Sequence, residues 1–341
     1  MRKWEGYQKG INFGGWFSQC GHTKEHYENF ITEEDFKRVS QWGIDHVRIP
    51  IDYNLVEDSD GNYLEEGFFY LERAISWCEK YHLNMILDLH KTPGYSFDAD
   101  EKEEGFFTDS RYQEQFYCLW EEFARRYGAY KDSIAFELLN EITDKEVSEK
   151  WNSIVSQCIT RIRRIAPDTK ILVGGYWNNN VAAVKALAEP QDKNIVYNFH
   201  CYAPLLFTHQ GAYWTEGMPA DFRYSFCHTV EEYRQKTAEI LPNELMTFEG
   251  LEGCQEPIGA QYLKKVMEEP VAVATQRDAL LYCGEYGVIN NADEESTLLW
   301  YQAAHEAFTY YGIGRAAWTY KELNYGLTDA HMKNVLEKIE F

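Results

Sequence analysis

The chain has 341 residues, 45% hydrophobic and 26% charged, ordinary proportions for a globular protein with a large core. Its formal charge of −22 argues against nucleic acid or an anionic membrane surface as a partner, since both are bound through Lys and Arg, and it suits a neutral substrate. No stretch is apolar enough to span a membrane, and the opening MRKWEGYQKG lacks the apolar segment of a secretory signal, so the expectation is a cytoplasmic protein, or a secreted one with its leader removed.

Eight strand-like runs follow in order: GINFGG (10–15), HVRIPI (46–51), LNMILDLH (83–90), IAFELLNE (134–141), KILVGGY (170–176), IVYNFHCY (195–202), LLYCGEYG (280–287) and AAWTYK (316–321). Most are continuous apolar runs, as parallel strands buried on both faces should be. Amphipathic helices are predicted between them. Thr32 with Asp35 resembles a capping box opening a helix through Trp42. Over 148–165, Trp151, Ile154, Val155, Cys158, Ile159, Ile162 and Ile165 fall at i, i+3, i+4, i+7 spacing, and Pro167 stops that helix. Gly312 closes another that begins near Ser296.

Eight strand–helix units predict a (β/α)8 barrel forming one domain over 1–341, with its active site at the C-terminal ends of the strands. The rival, a doubly wound open sheet, would carry a glycine-rich phosphate loop after its first strand, and GINFGGW does not match GxGxxG. One connection is too long for a single helix: 203–279, between strands six and seven, bears Phe207, His209, Tyr213, Trp214, Phe222, Tyr224 and Phe226. It is expected to be a helical insertion flanking the substrate cleft, and its Glu249, Glu252 and Glu256 to be solvated. Eight cysteines without a CxxC pair are expected to be free, mostly buried thiols, which points to a reducing compartment or an anaerobe's exterior. Cys20, His22 and His26 offer only weak metal-site spacing, so no metal or cofactor is expected, and the chain is expected to act as a monomer.

Polar groups ending apolar strands are costly unless solvated or used. Here the strand ends carry Arg48, His90, Asn140 with Glu141, His200 with Tyr202, Glu285 and Trp318. Glu141 and Glu285 belong to the fourth and seventh strands, and the barrel would bring them to one mouth. Paired carboxylates so placed suit cleavage of a glycosidic bond, one protonating the leaving oxygen and the other attacking or activating water. A separation of about 5–5.5 Å would mean retention of configuration and about 6.5–9.5 Å inversion. Arg48 and Tyr202 could stabilise an ionised carboxylate, Asn140 could bind a sugar 2-hydroxyl, and Trp318 could face a pyranose ring. Aromatics at 16%, with 25 Tyr and 10 Trp, fit a carbohydrate partner as well as a core. Glu137 and Asp88 are acids within the same strands and would take these roles if the register were shifted.

GINFGGW, HVRIP, LDLH, FELLNE, the NFHCY run, CGEYG and Trp318 together resemble glycoside hydrolase family 5, the cellulase family, over nearly the whole chain. The resemblance implies a retaining barrel enzyme with Glu141 as acid/base and Glu285 as nucleophile, and with Arg48, His90, Asn140, His200, Tyr202 and Trp318 around the sugar. The expected activity is endo-β-1,4-glucanase action on cellulose-like or mixed-linkage β-glucan. Mannanase, xylanase and exo-β-glucosidase are alternatives with the same catalytic pair. A metal-dependent hydrolase and a non-catalytic carbohydrate-binding barrel are alternatives of other kinds.

Overall fold

The computed structural model describes residues 1–98 and 101–341. Eight parallel strands close into a barrel in sequence order: β1 (Lys9–Asn12), β2 (His46–Asp52), β3 (Asn84–Lys91), β4 (Ile134–Glu137), β5 (Ile171–Val173), β6 (Ile195–His200), β7 (Leu280–Tyr286) and β8 (Gly314–Ala317). All eight predicted runs overlap a strand, and the (β/α)8 architecture stands. Several bounds differ. β4 ends at Glu137 and β5 at Val173, so Asn140 and Glu141 lie beyond the strand on the loop above it. β8 starts at Gly314, because GRAA pairs with β1 and β7 although its arginine breaks the apolar run.

The strands are buried on both faces, but the two faces differ. The outward phase carries Val47, Ile49, Met85, Leu87, Phe136, Ile171, Ile195, Phe199, Leu281 and Cys283, which join the large core shared with the helices. The inward phase begins at the N-terminal end with a small apolar plug: Trp4, Tyr7, Ile86, Ala135, Leu172, Val196, Leu280, Tyr282 and Ala316. Two residues further along each strand this phase turns polar, giving Asn12, Arg48, Asp88, Glu137 and Asn198, all fully buried. The period-2 alternation of strands thus stacks a charged layer on an apolar one.

The predicted helices form the outer ring. Asp35 opens Glu33–Ser40 by accepting from the Thr32 N–H (2.8 Å) and hydroxyl (2.9 Å). That helix stops two residues short of Trp42. Ser148–Arg163 buries the expected stripe, Trp151 to Ile162. Glu294–Tyr311 ends on Gly312 at φ 69°, a left-handed position that glycine adopts without strain. Between β6 and β7 lie Leu205–Thr208, Val230–Ile240, a 3-10 turn Pro242–Phe248 and the helix Ala260–Gln276. This last helix packs beside Glu294–Tyr311 and Val181–Ala186, as an outer-ring helix of the barrel does. Glu249, Glu252 and Glu256 are exposed. All eight cysteines are free, with Cys78, Cys158, Cys201 and Cys283 buried and Cys227 exposed. Among the described residues no helix is long and apolar enough to cross a membrane.

Candidate active site

The C-terminal mouth of the barrel opens into a cleft of about 720 Å³. His90, Asn140, Glu141, His200, Tyr202, Glu285 and Trp318 all line it. Arg48, placed by sequence at a strand end, is the third residue of β2 and lies beneath the floor, fully buried.

Arg48 organises that floor. Its Nε donates to Glu137 Oε2 (2.7 Å) and its Nη2 to Glu137 Oε1 (2.8 Å), a bidentate pair. Nη1 donates to Asn12 Oδ1 and to Glu285 Oε1, both at 2.9 Å. Nη2 also donates to Asn140 Oδ1 (2.9 Å) and sits 3.0 Å from Asp88 Oδ2. Three carboxylates therefore share one guanidinium, whose planar fork suits such a task better than an ammonium. Glu137 and Asp88 are not rivals for the mouth; they are its foundation. Burial pushes both carboxyls up, Asp88 to about 7, against the pull of Arg48.

Glu285 rises from β7 with both oxygens held, Oε1 by Arg48 and Oε2 by the Tyr202 hydroxyl at 2.9 Å. Two donors on opposite sides thus fix the orientation of this carboxyl group. Glu141 is held differently. Its Oε1 lies 2.7 Å from His200 Nδ1 and its Oε2 accepts from Asn178 Nδ2 at 2.7 Å. Burial raises its carboxyl above the usual range, opposed by Asn178, His90 and Arg48. The site therefore contains one carboxylate beside a cation and one beside neutral donors.

Two histidines act as neutral struts. Burial lowers both His90 and His200 to about 4. Asn179 Nδ2 faces His200 Nε2 (3.3 Å) and the Asn140 carbonyl (3.3 Å). Nε2 is thus an acceptor, and Nδ1 carries the hydrogen that it donates to Glu141. His90 Nδ1 lies 2.6 Å from Asp88 Oδ2, and its Nε2 faces Asn140 Nδ2 at 3.3 Å. The Asn140 amide is thereby fixed at both ends. Trp318 stacks parallel to His90, ring centres 5.7 Å apart and 1° between planes.

Glu141, His200 and Glu285 each place a ligand-type atom within 4.8 Å of the other two. This bounds the nearest approach of the two carboxylates. The trio could reach a cation only by displacing donors, since Arg48, Tyr202, His200 and Asn178 already occupy the four oxygens. Cys20 Sγ meets His22 Nδ1 at 3.7 Å, but His26 does not join them. His22 Nε2 pairs with Asp52 (3.1 Å), whereas His26 Nε2 lies 2.7 Å from the Gly15 carbonyl.

Sequence reasoning passed over Asn12, Asn178 and Asn179. Trp177, Asn178 and Asn179 are consecutive in left-handed backbone at φ 49°, 55° and 55°, a conformation asparagine tolerates better than most residues. The run NNN at 178–180 was the available signal. This turn aims Asn178 at Glu141 and Asn179 at His200, and leaves the Trp177 indole 44% exposed on the cleft wall. The long β6–β7 connection supplies Leu205, His209, Tyr213, Trp214, Glu244, Thr247 and Val266 to the cleft.

Comparison with known proteins identifies the family of the chain. The model of the cellulase family, glycosyl hydrolase family 5, matches residues 7–324. Cellodextrinase A of Ruminococcus flavefaciens is 45% identical over 315 residues, 92% of this chain and 86% of that protein. Endoglucanase C of Acetivibrio thermocellus is 36% identical over 336 residues, 98% of this chain and 96% of that protein. Among solved structures, the cellulose synthase subunit Z of Clostridioides difficile superposes with a TM-score of 0.76 at 24% identity, covering 97% of this chain and 98% of that one. Thermotoga maritima Cel5A, solved with mannotriose, gives a TM-score of 0.75 at 22% identity, covering 97% and 96%. These likenesses in structure concern the fold.

Proposed function

Because the chain belongs to glycosyl hydrolase family 5 and is a glycoside hydrolase of cellulase type, we propose that it cleaves β-1,4-glucan internally by double displacement, on cellulose-like or mixed-linkage chains. The observation that carries the retaining mechanism is the approach of Glu141 and Glu285 oxygens to within 4.8 Å. That spacing falls with the about 5–5.5 Å class rather than with the about 6.5–9.5 Å separation of inverting pairs.

In the first step a Glu285 oxygen bonds to the anomeric carbon while the bond to the glycosidic oxygen breaks. That oxygen takes the proton held by Glu141. In the second step Glu141 removes a proton from water, whose oxygen displaces Glu285 from the same carbon. Arg48 and Tyr202 hold the two Glu285 oxygens in place for attack, and burial of Glu141 favours the proton it must carry. Asn140 and Trp318 are proposed to hold the sugar at the cleavage point. The 203–279 segment is proposed to wall the cleft. The names of the two relatives, cellodextrinase and endoglucanase, support a β-1,4-linked glucan substrate.

The test follows hydrolysis of carboxymethylcellulose and barley β-glucan by Glu141→Gln and Glu285→Gln, with the first-formed anomer read by NMR. Each variant should lose roughly three or more orders of magnitude in kcat, and the wild type should release the β-anomer first. Near wild-type rates in either variant, or an α-anomer, would sink the reading.

A further inference from the structure

Glu244 is the one carboxyl-bearing residue of the long β6–β7 connection that lines the cleft. It sits in the 3-10 turn Pro242–Phe248, half-buried, three residues before Thr247, and Val266 and Leu205 line the same cleft. Its backbone is engaged: the N–H donates to Leu241 and the carbonyl accepts from the Thr247 hydroxyl at 2.8 Å. Its carboxylate makes no hydrogen bond or ion pair among the described residues, and burial alone raises its affinity for a proton. This sets it apart from Glu141, Glu285, Glu137 and Asp88, each of which has protein donors. A desolvated carboxylate without donors is costly unless something else supplies them.

The wall identifies the supplier. Asn178, Asn180 and Val181 line the cleft after β5, and Asn178 holds the oxygen Oε2 of Glu141. The 3-10 turn Val181–Ala186 follows directly and packs on Ala260–Gln276, whose Tyr262 hydroxyl donates to Thr247. This chain of contacts ties the turn that bears Glu244 to the segment that bears Asn178, the partner of Glu141. We propose that Glu244 is a specificity-determining residue, accepting hydrogen bonds from hydroxyl groups of the sugar on the leaving-group side of the cleaved bond. A carboxylate offers two oxygens, which match the neighbouring equatorial hydroxyls of a β-linked glucose unit. The exposed Trp177 indole on the same wall gives that sugar an apolar face. This inference rests on the glucanase reading above.

Two substrates separate it from that reading. Cellopentaose places a sugar on the leaving-group side, whereas 4-nitrophenyl β-cellobioside places there a ring without hydroxyls. For Glu244→Gln and Glu244→Ala, the ratio of kcat/KM on cellopentaose to kcat/KM on the aryl glycoside should fall about tenfold from wild type, the loss expected for a hydrogen bond to a charged group. The first-cut products of cellopentaose should shift as well. An unchanged ratio, whether both rates fall together through a structural effect or neither falls, overturns the inference alone. A wild-type enzyme that hydrolyses neither substrate overturns the glucanase reading and this inference with it.

Discussion

Asn178 donates from Nδ2 to Glu141 Oε2 at 2.7 Å from a backbone position at φ 55°. Left-handed residues cost about 1 kcal/mol or more each when they are not glycine, and three occur in succession here. The strain sits at the one turn that touches both Glu141 and His200, which is where a rigid, over-determined geometry serves the chemistry.

Removing that contact has a signed consequence. The Asn178 N–H favours the ionised form of Glu141, so Asn178→Ala raises the carboxyl's pKa further. The other groups facing Glu141 are His200, neutral above about 4, Arg48, His90 and the Glu285 carboxylate, and none of them is altered. The general acid then keeps its proton to higher pH, and the alkaline limb of the kcat/KM profile should move upward, with kcat about tenfold lower through lost orientation. A profile whose alkaline limb stays in place would refute the role.

The two glutamates should differ in their sensitivity to the leaving group. Glu141→Ala should cost about a hundredfold or more on cello-oligosaccharides, yet much less on a dinitrophenyl cellobioside that departs without a proton. Added azide should restore turnover and give a β-glycosyl azide. Glu285→Ala should be inactive on both substrates, because it lacks the attacking oxygen. Equal losses for the two variants on the activated substrate would reverse or cancel the assignment.

Arg48→Lys retains the charge and loses the fork. An ammonium cannot satisfy Glu137 in two places while reaching Glu285, Asn12 and Asn140. Buried carboxylates deprived of a partner typically cost about 3–5 kcal/mol. A fall in unfolding free energy of that order, read from denaturant melts, together with a kcat reduction of about a hundredfold, is the expected result. A variant of normal stability would mean that the neighbouring carboxyls are held by other means.

His22 supplies a stability test away from the catalytic pair. The hydrogen bond to Asp52, then the neighbouring Cys20, raises it to about 9. A histidine with a raised folded pKa contributes stability in full below its unfolded value of about 6.5 and loses it as pH rises through about 9. Asp52→Asn should therefore lower stability by about 1 kcal/mol at pH 6, a figure discounted for partial exposure. The gap from wild type should close by pH 10. Thermal melts of both proteins at the two pH values give the comparison, and a gap that persists at pH 10 would point to packing instead.

Strands were legible in the sequence because burial on both faces makes them apolar throughout, so HVRIPI and LNMILDLH announce themselves. Their ends were less so. FELLNE reads as one run, yet β4 stops at Glu137, although the Leu138 and Asn140 N–H groups still donate to the Leu172 and Leu89 carbonyls of the neighbouring strands. Arg48, Glu137 and Asp88 were visible as charges in apolar runs. That Arg48 meets both acids was not, because these contacts join three strands and local pattern carries no such information. The clustering of Glu141, His200 and Glu285 followed from barrel order alone. Asn178 and Asn179 escaped because their role depends on a backbone conformation that side-chain chemistry signals only weakly.

The sharing of Arg48 among three carboxylates also bears on what happens between the two proposed chemical steps. While a sugar is esterified to Glu285, that residue carries no negative charge, and the guanidinium is left with Glu137 and Asp88 alone. The nitrogen that faced Glu285 still donates to Asn12 Oδ1, and the other two nitrogens keep Glu137 and Asn140. The floor beneath the sugar thus stays pinned while the charge above it is withdrawn, with no nitrogen of the guanidinium left without a partner.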